Sequence, residues 1–281
     1  MATVQQLDAT DVPGLLALSE AVAWDYDPAE FKTALAAGTL VGCKGPDGVL
    51  QACAGLFPYG RRLCSLGMVI VHPSCQGQGL GRLVTRVCMD RAAGRPTILA
   101  ATDLGRPLYE RLGFQVVDSL HKLIATRFVD VGAGVPPGWR IANGSPPDFA
   151  ALVALDAEAL GEARPAWLRA RMAQVVDHVW LIDSNGRLGG FALGIQTPAV
   201  RVIGPVVAPD AGTAQALVAA LGRRHPGPLR IDIPSVRHEL VAAVGRLGFA
   251  LNRVVPVMGL NLGDWPGRGP TSHAIAAQAY G

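Results

Sequence analysis

Nowhere in the 281 residues does an apolar run reach the roughly 18 residues that a membrane helix needs, so no membrane partner is expected. The first residues hold no basic stretch followed by an apolar one, so no export leader is expected either. None of the five cysteines (Cys43, Cys53, Cys64, Cys75, Cys88) stands in a Cys-x-x-Cys pair, which removes the usual zinc and dithiol spacings, and no metal is expected. Their odd number argues against a full disulfide framework and for a reducing, cytoplasmic setting. Strong charge is also lacking: a net +3 gives no electrostatic case for nucleic acid. Only 17% of residues are charged and 50% are hydrophobic, which leaves ample material for a core. The length permits one large domain or two of about 130 residues each.

What is present is concentrated between Val69 and Arg82. The apolar, strand-like run Val69-Ile70-Val71 leads through His72-Pro73 into a loop with glycines at Gly77, Gly79 and Gly81. Leu80, Leu83, Val84, Val87 and Cys88 then follow the spacing of one buried helix face. A strand, a glycine loop and a helix start make an anion site. Free N–H groups and the helix dipole face the loop, and glycine lets phosphates approach the backbone. Read alone, the string also fits a plain glycine-rich turn. It lacks the lysine of the NTPase phosphate loop, and Arg82 stands where a dinucleotide fingerprint needs its last glycine.

Gln76-Gly77-Gln78-Gly79-Leu80-Gly81 resembles the acetyl-CoA loop of the GNAT (Gcn5-related) N-acetyltransferases. Downstream, Leu108-Tyr109-Glu110-Arg111-Leu112-Gly113-Phe114 resembles that family's second element, a short helix ending in Leu-Gly-Phe. Pro107 suits a first helical turn, and Gly113 suits the left-handed residue that stops a helix. Between the two, Thr97–Ala101 reads as a buried strand.

The chain also repeats itself. Arg111-Leu112-Gly113-Phe114 returns 135 residues later as Arg246-Leu247-Gly248-Phe249, and Val71-His72-Pro73 has its counterpart 136 residues later in Val207-Ala208-Pro209. Two elements at nearly one offset and in one order indicate tandem copies of one fold. The expected class is α/β (α+β): two GNAT-like domains, each a mixed, mostly antiparallel twisted sheet flanked by helices. Expected boundaries are a catalytic domain at 1–130, a Gly/Pro-rich linker at 131–138, a degenerate GNAT-like domain at 139–265 and a loosely packed tail at 266–281. Asp47-Gly48 and Asn185-Gly186 mark matching hairpin turns.

The resemblance implies transfer of an acetyl group from acetyl-CoA to the amine of a small molecule, by direct attack in a ternary complex. A protein N-terminus or lysine as acceptor, and a non-catalytic acyl-CoA sensor, remain alternatives. In the family the tyrosine at the position of Tyr109 commonly protonates the leaving thiolate; packing against the cofactor arm is its other reading. Val69 and Val71 are expected to lend backbone groups to the thioester and pantetheine arm. Gln76, Gly77, Gln78, Gly79, Leu80, Gly81 and Arg82 are expected around the pyrophosphate, with Arg82 alternatively a solvated helix residue. No general base is identified: Glu20, Asp25 and Asp27 lie where the acceptor approaches in such folds, beside Trp24 and Tyr26, and His72 reads as a strand end. The second copy departs from the pattern. Asp210 stands in its loop, where a carboxylate repels pyrophosphate, and Val244 stands where the first copy has Tyr109. A second copy without acetyl-CoA is therefore expected, and the oligomer is left as monomer or homodimer.

Overall fold

In a computed structural model of the chain, residues 3–144 and 148–281 are described. The first half runs β1 (Val4–Gln6), α1 (Val12–Ala21), α2 (Pro28–Ala37), β2 (Thr39–Lys44), β3 (Leu50–Tyr59), β4 (Leu63–Val71), α3 (Leu80–Ala92), β5 (Thr97–Ala100), α4 (Arg106–Arg111) and β6 (Gln115–Ala125). The second half repeats that order: β7 (Trp139–Ala142), α5 (Phe149–Leu160), α6 (Pro165–Gln174), β8 (Asp177–Asp183), β9 (Leu188–Gln196), β10 (Arg201–Val207), α7 (Ala211–Gly222), β11 (Leu229–Pro234), α8 (His238–Arg246) and β12 (Ala250–Leu260). One short strand follows, β13 (Ser272–Ala274).

Local chemistry sets the ends of these elements. Asp27 accepts the Glu30 N–H at 2.7 Å and Pro28 opens α2, so that helix starts on a capped, proline-led turn. The two expected hairpin turns close through Gly48 and Gly186, each at φ +79°, a backbone region that glycine enters without a Cβ penalty.

The sequence suggests two sheets, and the structure has one. Thirteen strands form a continuous sheet in the order β1-β2-β3-β4-β5-β12-β6-β11-β10-β9-β8-β7, with β13 on β10. The cause is an exchange of last strands. β6 leaves its own half and pairs with β11, β12 comes back to pair with β5, and β6 and β12 pair antiparallel between them. Among the described residues, only β4–β5 and β10–β11 are parallel pairs. The halves are thus related by a pseudo-twofold axis through the β6–β12 ladder.

Helices cover both faces. α3 and α4 pack Leu80, Val84, Cys88 and Tyr109 on one face of the first half, and α7 and α8 do the same in the second. On the opposite face α1, α2, α5 and α6 share a single core with Phe31, Tyr59, Trp167 and Trp180. The buried pair Arg171 Nη1–Glu30 Oε2 (2.8 Å) ties α6 to α2.

The tail corrects an expectation. Residues 266–281 are poor in large apolar side chains, which suggested loose packing, yet everything from Ser272 to Ala276 and from Ala279 to Gly281 is buried. Small residues achieve this by bringing backbone close to backbone. A Cβ on Gly67 would overlap the Ala279 carbonyl, and one on Gly204 would overlap that of Ile275. Tyr280 is the anchor: its ring meets Phe57 edge-on at 4.8 Å, and its carbonyl accepts the Tyr59 hydroxyl at 2.7 Å.

Candidate active site

β4 and β5 pair only at Cys64–Thr97 and Ser65–Ile98, then part into a fork. On its other edge β4 carries a bulge. Cys53 faces Ile70 and Gly55 faces Gly67, so Met68 and Val69 together oppose Ala54. Met68 sits at φ +52°, outside the strand region, and its carbonyl accepts the Cys53 Sγ–H at 3.3 Å. Past the bulge, His72 donates its N–H to Gln51 of β3 at 2.8 Å. Strand alternation then turns the amide groups of Val71 and Val69 away from β3, into the fork.

The glycine loop closes the top of this fork. Gly77 and Gly79 have φ of +77° and +82°, and a Cβ on either would meet only open space. Gly79 is the N-cap residue of α3, and no side chain caps that helix. Among the described residues nothing accepts the N–H groups of Gly77 to Arg82. These are the free donors of a helix start, with the positive end of its dipole behind them. Gln76 Nε2 reaches back to the Val71 carbonyl (3.5 Å) and Gln78 Nε2 to that of Ser74 (3.4 Å), so both glutamines brace the loop. Leu80 is buried beneath it, Arg82 is exposed in the first turn, and Gly81 leaves room for Val71 and Leu108.

Tyr109 lies on α4 in the same apolar cluster as Leu80 and Leu99 and is 7% exposed. Thr102 Oγ1 takes the Gly105 N–H at 3.0 Å where the helix begins, and Phe114 packs edge-on to the tyrosine ring at 6.0 Å. Among the described residues the Tyr109 hydroxyl has no hydrogen-bond partner. Burial, with Cys88 nearby, pushes its pKa above the usual phenol value, so the group keeps its proton at neutral pH.

The candidate acids sort differently. Asp27 is occupied as the α2 cap, and Glu20 is exposed. Asp25 Oδ2 accepts the Thr197 hydroxyl at 2.8 Å, across the two halves. Trp24 and Tyr26 meet edge-on at 5.6 Å beside it. His72 Nδ1 lies 2.7 Å from Ser74 Oγ and caps the turn after β4, a structural role.

The second half has the same parts, but both openings are filled. Asp210 accepts the Thr213 N–H at 2.8 Å in a capping box, so its own carboxylate takes the helix-start donors of α7. β10 and β11 pair at Arg201–Leu229 to Ile203–Ile231 and then part, and β13 enters that fork. Ala274 pairs with Val206, Ser272 pairs with Val207, and Ile275 N–H donates to Asp232 of β11 at 3.0 Å.

Two features escaped the sequence. A left-handed methionine leaves no trace, because Met has no preference for that conformation. Lys122 did leave a signal: in β6 it shares a face with Leu120 and Ile124, and a lysine on an apolar strand face asks for an explanation.

Two sequence models, both described as acetyltransferase (GNAT) domain, match residues 36–116 and 152–269. The uncharacterized N-acetyltransferase YitH of Bacillus subtilis is 32% identical over 255 residues, spanning 90% of this chain and 89% of that protein. The chain belongs to the GNAT acetyltransferases. Solved structures share the fold of nearly the whole chain. A putative acetyltransferase from Pyrococcus horikoshii superposes with a TM-score of 0.82 at 18% identity, over 99% of this chain and 95% of its own. A tandem GNAT protein from the clavulanic acid biosynthesis pathway gives 0.70 at 18% identity, over 92% and 98%. The mycothiol acetyltransferase of Streptosporangium roseum is 35% identical over 100 residues, 33% of this chain and 29% of that one. As a GNAT protein with two matched domains, the chain is a tandem member of its family.

Proposed function

We propose that the chain transfers an acetyl group from acetyl-CoA to the amine of a small molecule, using the first half alone, with 1–130 as the catalytic unit and 139–265 as its degenerate partner. The observation that carries this reading is the contrast between two equivalent helix starts. α3 begins on glycines with no capping side chain, whereas α7 is capped by Asp210 and its fork holds β13. A pyrophosphate fits the first and is repelled by the second. Gly77, Gln78, Gly79, Leu80, Gly81 and Arg82 would hold the diphosphate, and the Val69 and Val71 backbone would hold the arm and polarise the acetyl carbonyl.

The amine must shed a proton before it attacks, since an alkylammonium has a pKa near about 10. Its nitrogen then bonds to the thioester carbon, the C–S bond breaks, and the departing thiolate takes the proton of the Tyr109 hydroxyl. Tyr109 regains a proton from solvent, and the attacking nitrogen gives its second proton to water or an adjacent base. A cytoplasmic setting is part of the proposal and rests on five cysteines without a partner.

Calorimetric titration of acetyl-CoA into the intact protein tests it. One site per chain, weakened at least tenfold by Gly79→Val, is expected; two sites, or none, overturn the reading. Gly79→Val acts twice: it strains a left-handed backbone and puts a side chain where the phosphates would lie.

A further inference from the structure

Lys122 stands at the middle of the sheet, on the face away from α3. Its register partners are Asp232 of β11 and Arg253 of β12, so three charged residues line up across three strands. Arg230, two residues before Asp232, shares this face and holds the Asp232 carboxylate with both nitrogens (Nη2–Oδ2 2.7 Å, Nε–Oδ1 3.3 Å). Gln278 of the tail donates to the same carboxylate at 3.1 Å, and Asp25 is engaged by Thr197. Each acid in the group thus has its partner. Lys122 has none: among the described residues its half-buried ammonium makes no ion pair and no hydrogen bond. Burial first and the Arg230 guanidinium second lower its pKa, against the opposing pull of Asp232 and Asp25. A half-desolvated ammonium with no partner of its own, beside Arg253 and with Asp232 already held by Arg230 and Gln278, has the chemistry to take an anionic guest.

Its position links it to the fork. Ser65 is level with Ile98, and Ala100 is level with Val257 and Asp118. Counting along β6, Leu120 is then about level with Val69, and Lys122 lies roughly 7 Å further on, at two strand spacings, roughly 10 Å, from β5. The nearer part of this face is closed, because Ile275 packs on Leu120, Val255, Val257 and Ala100 and the Ala279–Gly281 backbone lies over β4. The part of this face left for an acceptor is the Lys122 end, beside the Trp24–Tyr26 loop.

We infer that the acceptor is an amine carrying an anionic group, carboxylate or phosphate, several bonds from its nitrogen, and that Lys122, flanked by Arg230 and Arg253, binds that group while the amine reaches the thioester. This rests on the transferase reading above.

The test measures thiol release from acetyl-CoA with three matched acceptors: hexylamine, 6-aminohexanoate and 6-aminohexyl phosphate. At least one anionic acceptor is expected to exceed hexylamine by tenfold or more in kcat/KM, and which one does separates a carboxylate from a phosphate guest. Lys122→Met should bring that ratio to within threefold of one, mainly through KM, and Lys122→Arg should keep most of it. A melting curve for each variant separates lost recognition from lost folding. Hexylamine performing as well as both anionic amines, or a ratio surviving Lys122→Met, overturns the inference. Acetyl-CoA binding with no thiol released from any of the three overturns it alone, and absence of acetyl-CoA binding overturns the transferase reading with it.

Discussion

Tyr109 is a phenol held in an apolar cluster by α4, with its hydroxyl free and its pKa raised by burial. Such a group donates a proton but does not lose one to water at neutral pH. Tyr109→Phe keeps the ring and its edge-on contact with Phe114 and removes only the donor. Steady-state kinetics should give a kcat lower by roughly 100-fold, the usual scale of a positioned general acid. Calorimetry should give an acetyl-CoA affinity within about threefold of the parent. An unchanged kcat would reduce Tyr109 to packing. Val244, its counterpart on α8, is fully buried and fills the equivalent space with a methyl-bearing side chain.

At the scale of elements, the glycine loop, α3, α4 and β5 were legible in the sequence, because each rests on local chemistry: apolar periodicity, a proline start, a glycine stop. β13 was not. A three-residue strand has no period to read, and Ser272, His273 and Ala274 carry little apolar surface. The strand nonetheless holds a testable group. His273 is 4% exposed, and among the described residues neither ring nitrogen has a close hydrogen-bond partner. Burial, and then Arg237 nearby, lower its pKa to about 4 from 6.5. The folded pKa lies below the unfolded one, so between those values the unfolded chain binds more protons and stability falls as pH falls. From pH 6.5 down to about 4 this removes on the order of 3 kcal/mol. Urea unfolding at pH 7 and pH 5 should reveal the loss, and His273→Leu should flatten it; an equal slope in both proteins would rule out His273 as its source.

At the scale of the whole molecule, sequence repeats and spatial units do not coincide. The repeat offset was readable, but the strand exchange was not. β6 and β12 each follow the same Leu-Gly-Phe string, and a strand's local pattern does not say whose sheet it will join. The exchange means neither half closes its sheet alone. The α1–α2 loop also leans on the β9–β10 turn through Asp25 and Thr197, and the α5–α6 loop leans on the β3–β4 turn through Glu162 and Arg62 (3.0 Å). Differential scanning calorimetry should therefore give one cooperative unfolding transition for both halves. Two transitions, separated by 10 °C or more, would show that the shared ladder does not couple them.

Strand exchange also sets a timetable for synthesis. β5 is complete by residue 100, but the strand that covers its edge begins only at residue 250. At about 5–20 residues per second, the intervening stretch of roughly 150 residues takes about 8–30 s to make. For that interval the nascent first half presents an uncovered edge of Thr97, Ile98, Leu99 and Ala100 to every neighbouring chain, with β6 as its nearest available substitute. Completion of the second half is thus what ends the first half's exposure on the ribosome, a reason for the two to be inherited as one polypeptide.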